Sequence, residues 1–427
     1  MMWRSSSRVC RRWRAHSRYN RGVETADQQW QRYRRVLAAE RLPAAVVDVD
    51  AFERNIDRMI EPLRAAGKRL RIATKSLRCP ALVERVRERA GDLAIGLMTY
   101  TAGETAWWAS HGATDLLLAY PTVRSADTDD LAIANRSATA ATVVDDRDQV
   151  TAIAKAARRA GTIVPLVIEL DVSWRPLGAM HVGVRRSPLR TPAAVVELAQ
   201  LIAATEGTKL AGVMAYEAHI AGTTDAGPFH RWQHGARRAV KRMSRGPVER
   251  ARAAVARALA DAGLPIGLFN GGGTGSVAWA AADPTLTEVT IGSGFVDSLL
   301  FDQYRGLELE PAACFALQVV RRPAPLLVTC HGGGFIASGD GGPDRLPRPW
   351  LPEGCALLAL EGAGEVQTPV ALPEHGAIEI TLGDPILFRH AKAGELAEHF
   401  DHYLLVRGDT IVERAPTWRG LQQCFLG

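Results

Sequence analysis

Paired cysteines are missing from this chain. Cys10, Cys79, Cys314, Cys330, Cys355 and Cys424 lie far apart, and no two stand at the close spacing of a metal-binding pair. A chain of 427 residues needs no disulfide framework, so a reducing cytoplasm is the expected setting. No apolar run approaches the roughly eighteen residues of a transmembrane helix, and a membrane partner is not expected. Residues 1–22, MMWRSSSRVCRRWRAHSRYNRG, contain no acidic residue and hold much of the formal net charge of +6. No apolar stretch of signal-peptide length follows their arginines, which argues against secretion. A basic arm suits an anionic surface. It shows no finger pattern, reading helix or alternating strands, so nucleic acid is not the expected partner. Residues 1–35 read as a flexible basic arm.

What is present is apolar and rhythmic. An apolar fraction of 47% is ample for a folded core, and the length suggests two domains. Short apolar segments fall at 69–74, 93–98, 115–120, 141–144, 163–172, 209–216, 264–270 and 286–292. Between them lie stretches such as CPALVERVRERAG and DRDQVTAIAKAARRAG, with helical spacing and Gly near the end. Continuous apolar strands joined by helical crossovers favour a parallel sheet. Eight repeats point to an α/β fold, a closed (β/α)8 TIM-type barrel over 42–307. From 308 to 427 extended runs follow one another without helices, which predicts an antiparallel β domain. One helix is expected there, over 390–400. The strand-like piece LPAAVVDVD before the first barrel strand is free to pair with that second domain.

In such a barrel, chemistry sits over the C-terminal strand ends. Lys75 directly follows the first barrel strand, where partial desolvation would suit it to Schiff-base chemistry. The sixth strand ends in AYEAH, placing Tyr216, Glu217 and His219 at the same rim; His exchanges protons near neutral pH. The seventh runs into NGGGTGS and the eighth into IGSG. Gly273, Thr274 and Gly275 with Ser293 and Gly294 thus supply the two halves of a phosphate site. The pattern is neither GxGxxG nor a lysine-bearing phosphate loop. HGGGFIASGDGG (331–342) reads as a turn or rim loop. His390, Lys392, Glu395 and His399 cluster near the end of the chain, with His390 a candidate metal ligand. Trp107, Trp108, Trp174 and Trp279 read as packing or rim residues.

Together, Lys75, AYEAH, GGGTGS and TEVTIGSG resemble the D-threonine aldolase and D-serine dehydratase family, related in fold to bacterial alanine racemases. The resemblance covers nearly the whole chain after about Leu42. It implies pyridoxal 5′-phosphate bound covalently at Lys75, a ring contact from Tyr216 with His219 alongside, and phosphate held by Gly273, Thr274, Gly275, Ser293 and Gly294. It also implies a homodimer whose β domain helps close the partner's site. Members commonly place His-x-Cys or His-x-Asp near the C-terminus to hold a divalent metal at the substrate β-hydroxyl. Here His390 is followed at the second ligand position by Lys392, which reads as a charge in place of the metal. The expected activity is aldol cleavage or dehydration of a β-hydroxy-α-amino acid, D-configured, with His219 as the base. A racemase on the same scaffold and a non-enzymatic cofactor-binding protein stand as alternatives.

Overall fold

The computed structural model describes residues 24–178, 180–374 and 379–426. Eight parallel strands close into a barrel: β2 (Arg69–Ala73), β3 (Ala94–Thr99), β4 (Asp115–Leu118), β5 (Thr139–Val144), β6 (Val164–Glu169), β7 (Thr208–Met214), β8 (Leu268–Gly271) and β9 (Glu288–Ile291). These match the eight segments expected from the sequence. The crossover helices are set by local chemistry. Arg147–Ala160, for example, starts at a capping box between Asp146 and Gln149 and stops at Gly161 in the left-handed region.

The pleat sorts the β2 side chains. Leu70 and Ile72 join the layer between barrel and helices, while Arg71 turns inward and is 1% exposed. There it meets Glu288 (Nη2–Oε2 2.8 Å) and Asp115 (2.7 Å), and Asn270 donates to the same Glu288 at 2.7 Å. A buried arginine costs several kcal/mol unless paired, and this one is paired with two carboxylates. Nearer the mouth the lumen is apolar, filled by Met98, Leu117, Val143, Val167 and Met214.

The second domain is a sheet of nine strands among the described residues. Its centre is β1 (Ala44–Asp48), which is fully buried. It pairs antiparallel with β10 (Ala313–Ala324) and parallel with β16 (His402–Arg407). β11 (Leu327–His331), β14 (Gln367–Ala371) and β13 (Ala356–Leu357) extend one side, and β17 (Thr410–Pro416) the other. β12 (Arg348–Leu351) and β15 (Pro385–Arg389) complete it, β15 pairing with both β10 and β12. A segment preceding the barrel thus supplies a central strand of the domain that follows it.

Two expectations meet different structure. Residues 1–23 of the basic arm lie outside the described residues. Its last part is a helix, Ala26–Val36, capped by Thr25 and Gln28, with Trp30 donating to Pro385 O at 2.9 Å. Residues 390–400 are not one helix: a turn leads to a short 3-10 segment, Glu395–His399. Gly394, at φ +86°, breaks the helix, and a Cβ there would stand 1.9 Å from the carbonyl oxygen of Lys75.

Candidate active site

The functional geometry begins at Lys75. Chain leaving β2 makes one 3-10 turn, Thr74–Ser76, held on both flanks. The Thr74 hydroxyl donates to Met98 O at 3.0 Å, and Ser76 shares a 2.9 Å hydrogen bond with Ser293 beyond β9. The flanks are buried, and the Lys75 side chain projects into the mouth, its amine 4.4 Å from the Tyr100 ring centroid. Solvent reaches Lys75 through the mouth, yet protein surrounds it on the other sides. That burial, followed by the charges of Arg186, Lys392 and Arg78, lowers its amine to about 8.

The glycine turns complete the rim. Thr274–Ser276 after β8 and Ser293–Phe295 after β9 are both 3-10 turns, joined where Gly294 N–H donates to the Thr274 hydroxyl at 3.0 Å. Their glycine positions leave no room for a side chain. A Cβ on Gly275 would stand 2.2 Å from Ala221 O, one on Gly294 2.6 Å from Met59 Sδ, and one on Gly292 2.7 Å from Ser76 Oγ. Tyr216 closes the arc, since a Cβ on Gly273 would be 3.4 Å from its ring. Lys75, Tyr216, Gly273, Thr274, Gly275, Ser293 and Gly294 therefore share one rim.

Glu217 faces away from the mouth, behind the turns. Fully buried, it accepts from Gly272 N–H (3.1 Å) and Ser276 Oγ (2.7 Å), and it pairs with the fully buried Arg252. Arg252 also binds Ala215 O (2.7 Å) and Asp283 (2.9 Å). This ion network locks the first glycine turn to the end of β7.

His219 lies in the short helix Ala218–Ala221, 5% exposed. Burial lowers its pKa, and its Nε2 has no partner among the described residues. It lines an open, shallow cleft with Glu169, Asp171, Ser173, Arg186 and Tyr216. Sequence reasoning missed Tyr100, Glu169 and Arg186. The first two stand at strand ends and were open to the same logic that found Lys75. Arg186 comes from the irregular segment after β6, bringing its guanidinium 5.3 Å from the Tyr216 ring and 3.5 Å from Glu169; no periodicity marks it.

The C-terminal candidates separate. His390 is 4% exposed, with Nδ1 unpartnered among the described residues, and burial, reinforced by Arg389, pushes it down to about 3. Lys392 instead binds Ser338 and Glu395, each at 2.7 Å. Trp107 and Trp108 pack edge-on against Trp418, and Trp279 donates to Glu249 at 2.6 Å.

A closed parallel barrel with a lysine at its mouth beside glycine turns, and a β domain folded onto that mouth, defines the alanine-racemase-like class of pyridoxal-phosphate proteins. Residues 47–296 match the family model for the alanine racemase N-terminal domain, and the chain belongs to that family. It is 29% identical over 259 residues to a 3-hydroxy-D-aspartate aldolase of Paracoccus denitrificans, a stretch covering 60% of each chain. It is 25% identical over 351 residues to a D-threonine aldolase of Arthrobacter, covering 80% of this chain and 84% of the relative. Among solved structures, a D-threonine aldolase from Filomicrobium marinum superposes with a TM-score of 0.76 at 23% identity, over 89% of this chain and 95% of that one.

Family membership implies pyridoxal 5′-phosphate, and the rim fits it: a lysine whose amine is lowered to about 8, an aromatic ring beside it, and turns whose Gly275 and Gly294 leave no room for a Cβ. A divalent metal fits poorly. His390 offers one donor, Lys392 carries an ammonium in the second position, and no three His, Cys, Asp or Glu converge on a metal site among the described residues.

Proposed function

We propose that the chain is a pyridoxal-phosphate-dependent lyase acting on β-hydroxy-α-amino acids, D-configured, by aldol cleavage or dehydration. The observation that carries this reading is the single rim joining the low-pKa amine of Lys75 to Tyr216 and the two glycine turns. The relatives support the substrate class, being named for aldol cleavage of 3-hydroxy-D-aspartate and D-threonine. Lys75 would hold the cofactor covalently, Tyr216 would lie against its ring, and Gly273, Thr274, Gly275, Ser293 and Gly294 would hold its phosphate. Bound there, pyridoxal 5′-phosphate supplies an electron sink for a bond broken at Cα.

The remaining work falls to side chains of this protein. His219 is neutral at physiological pH because burial lowers its pKa, and its free Nε2 can take a proton. In cleavage that proton leaves the β-hydroxyl; in dehydration it leaves Cα. Arg186, held by Glu169, keeps a positive charge over the pocket. A homodimer is the proposed assembly and a reducing cytoplasm the proposed setting. The latter is supported by Cys79, Cys314 and Cys330, which stand as buried thiols.

A visible spectrum of cofactor-supplied protein with and without Lys75→Ala, followed by a screen of D- and L-β-hydroxy amino acids, tests the assignment. The reading predicts a cofactor band lost in the variant, and aldehyde or keto-acid product from the D series. Inverted amino acid as product would instead identify a racemase. A band without turnover would identify a cofactor-binding protein.

A further inference from the structure

We infer that Lys392, Ser338 and Glu395 form a fixed ammonium site for the β-oxygen of the substrate, serving the bond-breaking step without a divalent metal. The inference rests on the lyase reading above and assigns to that site two residues, Ser338 and Glu395, on which that reading is silent.

Two contacts fix the ammonium. Lys392 Nζ stands 2.7 Å from Ser338 Oγ and 2.7 Å from Glu395 Oε1. Ser338 commits both its donors to the same carboxylate, through its backbone N–H at 2.7 Å and its hydroxyl at 2.6 Å. An ammonium has three N–H donors. Two are occupied here, and the third is open to solvent, the Lys392 side chain being 40% exposed. An ordinary surface pair of this i,i+3 type contributes little to stability, so a second loop clamping it is not explained by folding. Place is the stronger argument. Gly394, between Lys392 and Glu395, lies flat against the Lys75 backbone, so the cluster sits on the turn that carries the reactive amine. Lys392 also contributes to the lowering of the Lys75 pKa.

A protonated amine has no lone pair to give a metal, and both Glu395 oxygens are already engaged. The donor set therefore suits an oxyanion. In cleavage, the β-hydroxyl proton passes to His219, and the O–H electron pair left on oxygen becomes the C=O π bond. The Cα–Cβ pair remains at Cα and takes up a proton. One β-hydroxy amino acid gives an aldehyde and a shorter amino acid, with no net oxidation. The third N–H of Lys392 meets the oxygen as its negative charge develops. Ser338 and Glu395 are positioning residues.

The test uses the full chain loaded with pyridoxal 5′-phosphate, stripped with EDTA and assayed for metal content. Cleavage of D-threonine or D-3-hydroxyaspartate is expected to persist within about twofold, with no gain from Zn2+ or Mn2+. Lys392→Met is expected to lower kcat for cleavage by about 10²–10³, the cost of losing one oxyanion donor, with KM little changed. That drop should exceed by tenfold or more any drop in Cα-proton exchange of D-alanine, which has no β-oxygen. Lys392→Arg should recover part of the loss, and Ser338→Ala should fall between the wild type and Lys392→Met. In the cofactor-free chain, Lys392→Met should move the titration of Lys75 upward. Abolition by chelation with rescue by Zn2+ or Mn2+, equal losses in cleavage and exchange, or an unmoved Lys75 titration would each overturn the proposal. Failure of the wild type to turn over any D-β-hydroxy amino acid would overturn the lyase reading instead, and the Lys75 titration would still decide where Lys392 points.

Discussion

An ordinary lysine keeps its proton to about pH 10.4. Lys75 is brought to about 8 by burial first, and then by Arg186, Lys392 and Arg78. Below that pH the amine is an ammonium and inert; above it the lone pair is free. Acylation of the cofactor-free chain by a small anhydride, mapped by mass spectrometry, should therefore reach half its maximal rate at Lys75 near pH 8. Arg186→Met should move the midpoint up, because it removes a neighbouring positive charge. A midpoint above 10 in the wild-type protein would show that the mouth does not desolvate the amine. Lys75 is legible in the sequence through its place after a strand. Its neighbour Arg186 is not, because it arrives from an irregular loop whose path depends on tertiary contacts. Tyr100 lay within reach, as the last aromatic of LMTY at the next strand end.

At the scale of elements, the eight barrel strands show in the sequence because both of their faces are buried, and buried strands read as continuous apolar runs. The β domain is harder to read. β12 and β15 contain Pro349 and Pro385, and β13 is only two residues long, so periodicity has little to work on. The 390–400 segment has helical spacing but bends at Gly394 to meet Lys75. Composition cannot show such a tertiary contact. The glycine turn after β8 is similar: GGGTGS announces a tight turn, but not the Arg252–Glu217–Asp283 network that anchors it. Removing Glu217 leaves Arg252 buried with half its charge pairing and strands the donors of Gly272 and Ser276. Glu217→Ala should cost about 3–5 kcal/mol in urea unfolding of the cofactor-free protein. A loss below about 1 kcal/mol would show that the network does not carry the turn.

Across the whole molecule, the β domain reaches the reactive lysine by several routes. Arg389 on β15 pairs with Asp297 (3.0 Å) and Asp302 (2.6 Å), just beyond β9. Trp418 donates its backbone N–H to Arg78 O at 2.9 Å, and Arg78 in turn pairs with Glu398 at 2.5 Å. β1, ahead of the barrel, lies at the centre of that domain's sheet. The two halves thus jointly hold the Thr74–Arg78 segment, the barrel through Met98 and Ser293 and the β domain through Trp418 and Glu398. The central claim is that this support places the Lys75 amine where it captures pyridoxal 5′-phosphate. Borohydride reduction of the cofactor-supplied full-length protein, followed by peptide mapping, tests it directly. The account predicts the reduced cofactor mass on the peptide containing Lys75 and nowhere else; modification of another lysine, or none in correctly folded protein, would contradict it.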